Sequence, residues 1–193
     1  MKRLAVGLAL MVASYGSAAG VYLNPGFTLQ RMDMTNAVGT ASNTNFVKAY
    51  VYSLEMGLQR GALTLGLRGD YLRHAISAGS VKATLSQPGV YGTMGLRFGG
   101  ALSLRPIVGI GYLVKNEVKY EGTASSDGAY AKPGLAGFGA VEIGIFPGKT
   151  RRWGLVFEGG YRFVVPDQVS LGATTLEANT SGVFARGGLS LRY

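Results

Sequence analysis

The residues that invite a chemical reading are few. The one histidine of the chain, His74, stands three residues before Ser77, and Asp70 lies on the same side of the same segment. Hydrolysis by a serine needs a base aligned with the hydroxyl and a third group orienting that base. Asp70 is four residues below His74, too far along an extended chain that rises about 3.3 Å per residue. His74 therefore reads as a residue at the entry to a loop. The chain has no cysteine, which excludes a thiol nucleophile, a disulfide framework, a cysteine zinc site and a lipid-modified N-terminal cysteine. Asp33, Glu117, Glu121, Asp127, Asp167 and Glu177 fall in polar stretches, and none has the spacing of a divalent-cation loop. The many Gly-x-Gly pairs do not lead from a strand into a helix, so they are not phosphate-binding turns. The sequence predicts no enzyme, no cofactor and no metal site.

The remaining charge has a different pattern. Glu55, Asp70, Glu142 and Glu158 alternate along their segments with apolar neighbours, and so do Arg68, Arg97, Arg105, Arg162, Arg186 and Arg192. Alternation with period two is the mark of a strand with two unlike faces. Eight strands follow from it: 21–32, 46–59, 62–74, 90–98, 102–115, 135–146, 153–165 and 183–193. No segment has a helical period, so essentially no helix is expected. The connections at Arg60-Gly61, Gly99 to Ala101 and Pro147 to Arg152 are short. Those over 33–45, 75–89, 116–134 and 166–182 are long and rich in Ser, Thr, Ala, Gly and Asn. Strict alternation of short and long describes an up-and-down meander with every long loop at one end.

Which face points outward decides the class. A soluble lipocalin-type carrier shares the period but keeps its apolar face inside. Three features favour the inverse. Tyr71, Tyr112 and Tyr161 lie towards the far ends of ascending strands, and Tyr50 and Tyr52 open a descending one. Phe98, Trp153 and Tyr193 mark the opposite ends. Two aromatic girdles about nine to eleven residues apart suit tilted strands crossing hydrocarbon. The polar face carries mostly small residues plus arginines and carboxylates, as a narrow lumen requires if its charges are to pair. Met1 to Ala19 reads as a secretory signal, with Lys2-Arg3, an apolar run from Leu4 to Ala13 and small residues before a cut. Cleavage is expected before Gly20, with the bond after Ala18 as second choice. The apolar run is too short to span a bilayer as a helix.

Composition agrees. Charged residues make up only 15% of the chain, against about 25% in soluble domains. The net charge of +9 is scattered, no basic run exceeds Arg151-Arg152, and no nucleic-acid motif appears; no nucleic-acid partner is expected. The fold expected is an all-β, eight-stranded transmembrane antiparallel barrel over 20–193, with 1–19 as a cleavable signal peptide. Backbone in hydrocarbon must be fully paired, so the barrel closes without edges. Both termini then fall at the short-turn end.

At this point the chain resembles the small outer-membrane β-barrels of diderm bacteria, the group of the OmpA transmembrane domain, OmpX and the opacity proteins. Its closing residues, Arg186-Gly-Gly188-Leu-Ser-Leu191-Arg-Tyr193, are similar to the group's C-terminal assembly signal, and Gly160-Tyr161-Arg162-Phe163 to a segment common within it. The resemblance implies an outer-membrane protein with long loops extracellular and both termini periplasmic. It also implies recognition by the barrel-assembly machinery through Arg186, Gly188, Leu191 and Tyr193. The chain departs from the full OmpA plan in that no peptidoglycan-binding domain follows the last strand.

The expected partners are outer-membrane lipid, that machinery and an unidentified ligand at the extracellular loops. The expected role is structural or surface contact on a rigid barrel. A narrow porin-like channel is the alternative, and a lipid-modifying enzyme using His74 a more distant one. Arg60, Lys149, Arg151 and Arg152 crowd the short-turn end, where they meet either anionic headgroups and the peptidoglycan side or plain solvent. A closed barrel predicts different gel mobilities for unboiled and boiled protein in mild detergent; identical migration would refute it.

Overall fold

The computed structural model describes residues 20–33, 46–78, 81–114, 116–121, 129–131, 134–148, 150–165, 167–171, 174–178 and 180–193. The expected signal peptide, residues 1–19, lies outside them, as do Asp127 and Lys149. Eight strands form the wall: β1 (Gly20–Asp33), β2 (Phe46–Arg60), β3 (Leu63–Ala78), β4 (Val81–Leu96), β5 (Leu102–Leu113), β6 (Gly134–Ile145), β7 (Trp153–Val164) and β8 (Gly182–Arg192). Each pairs antiparallel with its neighbour in sequence, and β8 returns to β1. The closing seam runs from Tyr22 opposite Arg192 to Gln30 opposite Phe184. At its lower end Tyr193 N–H donates to Val21 O at 2.9 Å, and Val21 N–H donates to Tyr193 O at 3.1 Å. The predicted barrel is the observed one. No helix occurs among the described residues.

Local chemistry explains the short connections. Each contains a glycine in the left-handed region, Gly61 (φ 57°), Gly99 (φ 93°) and Gly148 (φ 84°), where a side chain would be strained. Arg151 takes that conformation without being glycine, at φ 51°.

Along β5 and β7 exposure alternates almost residue by residue. The exposed set is apolar: Leu104, Val108 and Ile110 on β5, Val141, Ile143 and Ile145 on β6, Leu155, Phe157 and Phe163 on β7. Water would be a poor solvent for such a surface, and acyl chains a good one.

The structure differs from the expectation at the long-loop end. β3 runs to Ala78 rather than His74, and β4 begins at Val81 rather than Val90, so the expected 75–89 loop is mostly an extended hairpin. Pro88 within β4 has no backbone N–H to donate, but its carbonyl still accepts from Val114 N–H at 2.8 Å. Short strands also occupy two of the other long connections, those over 116–134 and 166–182. Asn116–Glu121 continues the pairing along β4 and carries Ala129–Ala131 in turn, while Asp167–Leu171 pairs with Thr174–Ala178.

Ile143 lies opposite Phe157, between the two aromatic levels on the outer wall. The Ile143→Lys substitution is expected to cost about 2–4 kcal/mol, measured by denaturant unfolding in lipid vesicles. An unchanged midpoint would remove that face from the hydrocarbon.

Candidate functional site

Strand register alone brings charges of opposite sign together. Glu55 stands opposite Arg68 across β2 and β3, Arg105 opposite Glu142 across β5 and β6, and Glu158 opposite Arg186 across β7 and β8. All six point inward and are buried. The lumen is narrow enough for these pairs to join across it.

Arg68, on β3, makes a two-pronged contact with Glu158 on β7, donating from Nη1 at 2.8 Å and from Nη2 at 2.6 Å. Its Nη2 also donates to Glu55 at 3.0 Å. Arg105 grips both oxygens of Glu55 at 3.1 and 3.0 Å and reaches Glu142 at 2.7 Å. Arg97, at the foot of β4, donates to Glu142 at 2.9 Å. Arg186 donates to Glu158 at 3.0 Å, to Ser53 Oγ at 2.7 Å and to the Asn24 carbonyl at 2.6 Å. Tyr22 and Thr93 complete the shell by donating to Glu55 at 3.0 and 3.2 Å.

Four guanidinium groups thus bind three carboxylates in one network. Carboxylate oxygens of Glu55, Glu142 and Glu158 converge to within 4.8 Å of one another, as they would around a cation. The protein's own arginines supply the positive charge there. Register even sets Glu142 against Glu158 across β6 and β7, a like-charge pair that would be repulsive without them.

Three expected members of the network do not join it. Asp70 sits one inward step above Arg68, forms no ion pair within 4.0 Å among the described residues and leaves its buried Oδ1 without a hydrogen-bond partner. Arg162 donates to the Gln30 side chain at 3.3 Å and lies 5.9 Å from the centre of the Tyr91 ring. Arg192, at the lower rim, lies over the Phe146 ring at 3.2 Å. All three are on the lumen face, but none comes within ion-pair distance of an opposite charge among the described residues.

The lumen is also less polar than its small residues suggest. Tyr91, Ile107, Leu113, Ala136, Phe138, Val164 and Phe184 form one buried cluster, and Ala49, Val51, Leu72 and Leu85 another. Both extend towards the long-loop end. Phe138 meets Tyr91 edge-on at 5.6 Å and lies 4.4 Å from the Arg68 guanidinium. The alternation places Tyr22, Tyr91, Phe138, Phe146 and Phe184 on the inner parity of their strands, which was the available signal for them. Their apolar character masks it.

The expected girdle residues all face outward. Tyr50, Tyr52, Tyr71, Tyr112 and Tyr161 are exposed near one end of the wall, and Phe98, Trp153 and Tyr193 near the other. Tyr52 and Tyr71 are direct cross-strand neighbours. Phe27, an addition to the upper set, stacks on Tyr50 at 5.6 Å. In the closing strand Arg186 faces the network, Leu191 is partly covered and Tyr193 is exposed on the rim. His74 lies half-buried on the inner parity, opposite Leu85, with Asp70 four residues away.

Neither a known protein family nor a curated protein matches this chain. Solved structures do. The attachment invasion locus protein Ail of Yersinia pestis matches with a TM-score of 0.55 at 11% identity, covering 92% of this chain and 100% of that one. The outer-membrane protein OprG of Pseudomonas aeruginosa matches with a TM-score of 0.56 at 11% identity, covering 92% and 98%. The chain has the fold of the small outer-membrane β-barrels. At this identity the likeness is one of architecture, so role has to be argued from this chain's own residues.

Glu55 touches three arginines and a tyrosine, so its loss strands charge. Glu55→Gln is expected to destabilise the barrel by about 3–5 kcal/mol, and Asp70→Asn by less than about 1 kcal/mol. Denaturant unfolding in detergent micelles checks both; equal effects would refute the assigned pairing.

Proposed function

We propose that this protein is an integral outer-membrane barrel that does not conduct, and that its role is structural support and surface contact made by the long-loop end. The observation that carries this reading is the filled lumen. A layer of interlocked arginines and glutamates lies between the Phe146 level below and the apolar clusters above, with Arg105, Glu55, Glu142, Tyr22 and Tyr91 each 1% exposed or less. An eight-stranded barrel has an interior just wide enough for side chains to fill, and here they fill it.

The extended β3–β4 hairpin and the short strands at 116–121, 129–131, 167–171 and 174–178 give the long-loop end a hydrogen-bonded framework. A rigid support for contact residues lowers the entropy lost on binding. Ail has been crystallised with the heparin analogue sucrose octasulfate, so a barrel of this fold can take up a soluble ligand. In the orientation proposed, the long-loop end is extracellular and both chain ends are periplasmic. Leu191 and Tyr193, on the outer side of the closing strand, are then the residues offered to the assembly machinery.

Planar-bilayer recording tests the reading. The native protein is expected to give no steady single-channel current. A steady current abolished by Glu142→Gln or Arg105→Gln would make the protein a channel instead.

A further inference from the structure

The short-turn mouth of the barrel contains a feature that neither lumen packing nor surface contact uses. A cavity of about 420 Å³ opens there, lined by Gln59, Thr150, Arg151, Arg152, Arg192 and Tyr193 among others, with no aspartate or glutamate in its wall. Three arginine residues therefore line one recess with no aspartate or glutamate among its described lining residues. In the lumen the same residue type is matched by Glu55, Glu142 and Glu158.

Arg192 is held for this task. Its guanidinium is stacked on Phe146, its backbone N–H donates to Arg152 O at 2.7 Å, and its buried Nε and Nη2 have no hydrogen-bond partner. Arg151 reaches the recess from a left-handed backbone at φ 51°, a conformation a non-glycine residue holds only when its surroundings enforce it. Its side chain passes close over Gly100, where an added Cβ would stand 2.5 Å from Nη1. Gly100 thus clears the path for that arginine.

From this convergence we infer that the short-turn mouth is a binding site for a phosphate-type oxyanion. Planar guanidinium forks match tetrahedral oxyanions in geometry as well as charge, and the Thr150 hydroxyl and Gln59 amide add neutral donors. The outward-facing Trp153 and Tyr193 rings border the same rim, so the group reaches it either from the headgroup layer of a phospholipid leaflet or as free phosphate. The site requires only the fold; facing the periplasmic leaflet rests on the orientation proposed above.

The test uses the full barrel in a neutral detergent at low ionic strength, where exposed charge is least screened. Isothermal calorimetry is run with inorganic phosphate, with dihexanoyl-phosphatidylglycerol and with dihexanoyl-phosphatidylcholine. Fluorescence of Trp153, the one tryptophan, gives a second readout beside Arg152. Saturable binding of phosphate or of phosphatidylglycerol, weakened roughly tenfold or more by Arg152→Ser and by Arg192→Gln, is expected. Arg73→Ser, on the exposed wall away from the mouth, is expected to bind as the native protein does. Saturation by phosphatidylglycerol alone identifies a lipid headgroup, and comparable saturation by inorganic phosphate a free oxyanion. If neither probe saturates, or if Arg152→Ser, which lies in a turn and whose folding is confirmed by gel mobility, binds unchanged, the inference is overturned. Because no conductance is read, failure here leaves the non-conducting reading standing, and the reverse.

Discussion

A polypeptide whose outer surface is apolar on every strand has nowhere to leave a backbone amide unpaired. That constraint makes the seam between β8 and β1 the most consequential contact in the molecule. Once the seam closes, strand number, the antiparallel order and the position of both chain ends follow. So does the narrowness of the interior. The lumen chemistry is a product of closure, since charges in so small a space must find partners or destabilise the wall around them.

The network reconciles two demands that pull apart. Arginine and glutamate give each strand a face that cannot be confused with its lipid face, which keeps register strict, because a one-residue slip would turn every charge outward. Buried ion pairs are weak sources of net stability but strong penalties for misassembly. Glu55, held by Tyr22, Thr93, Arg68 and Arg105, is where that penalty concentrates. The apolar clusters above it contribute ordinary side-chain packing, and together the layers fill the cross-section.

Much of this was legible in the sequence because a barrel strand repeats one simple rule. Period-two alternation marked the eight wall strands, the glycines of the three short turns and the inward placement of the charges. Pairs across a short turn, such as Glu55 and Arg68, follow from hairpin register. Pairs across the lumen do not, since Arg68 and Glu158 stand 90 residues apart and depend on the size of the closed ring. For the same reason Asp70, Arg162 and Arg192 were on the correct face, while the distances that leave them outside the ion pairs were not readable from it. Alternation puts Phe138 on the side of Glu142 and Phe184 on the side of Arg186, where both are buried, but it gives no sign that they pack with Tyr91 into an apolar cluster. The upper half of β4 was missed because Pro88 and a run of small residues interrupt the contrast between faces. Hydrogen bonding to neighbours, which leaves no mark in hydropathy, sustains the strand there.

The contact between Arg68 and Glu158 spans the full bore, from β3 on one wall to β7 on the other. Each of the two charges also has a partner on an adjacent strand, Glu55 for Arg68 and Arg186 for Glu158, both at 3.0 Å, so the cross-bore contact is added to pairs that each hairpin makes for itself. Ring closure therefore gives charges that are already paired along the wall a second partner across it, which ties β3 to β7 through the interior as well as around the circumference.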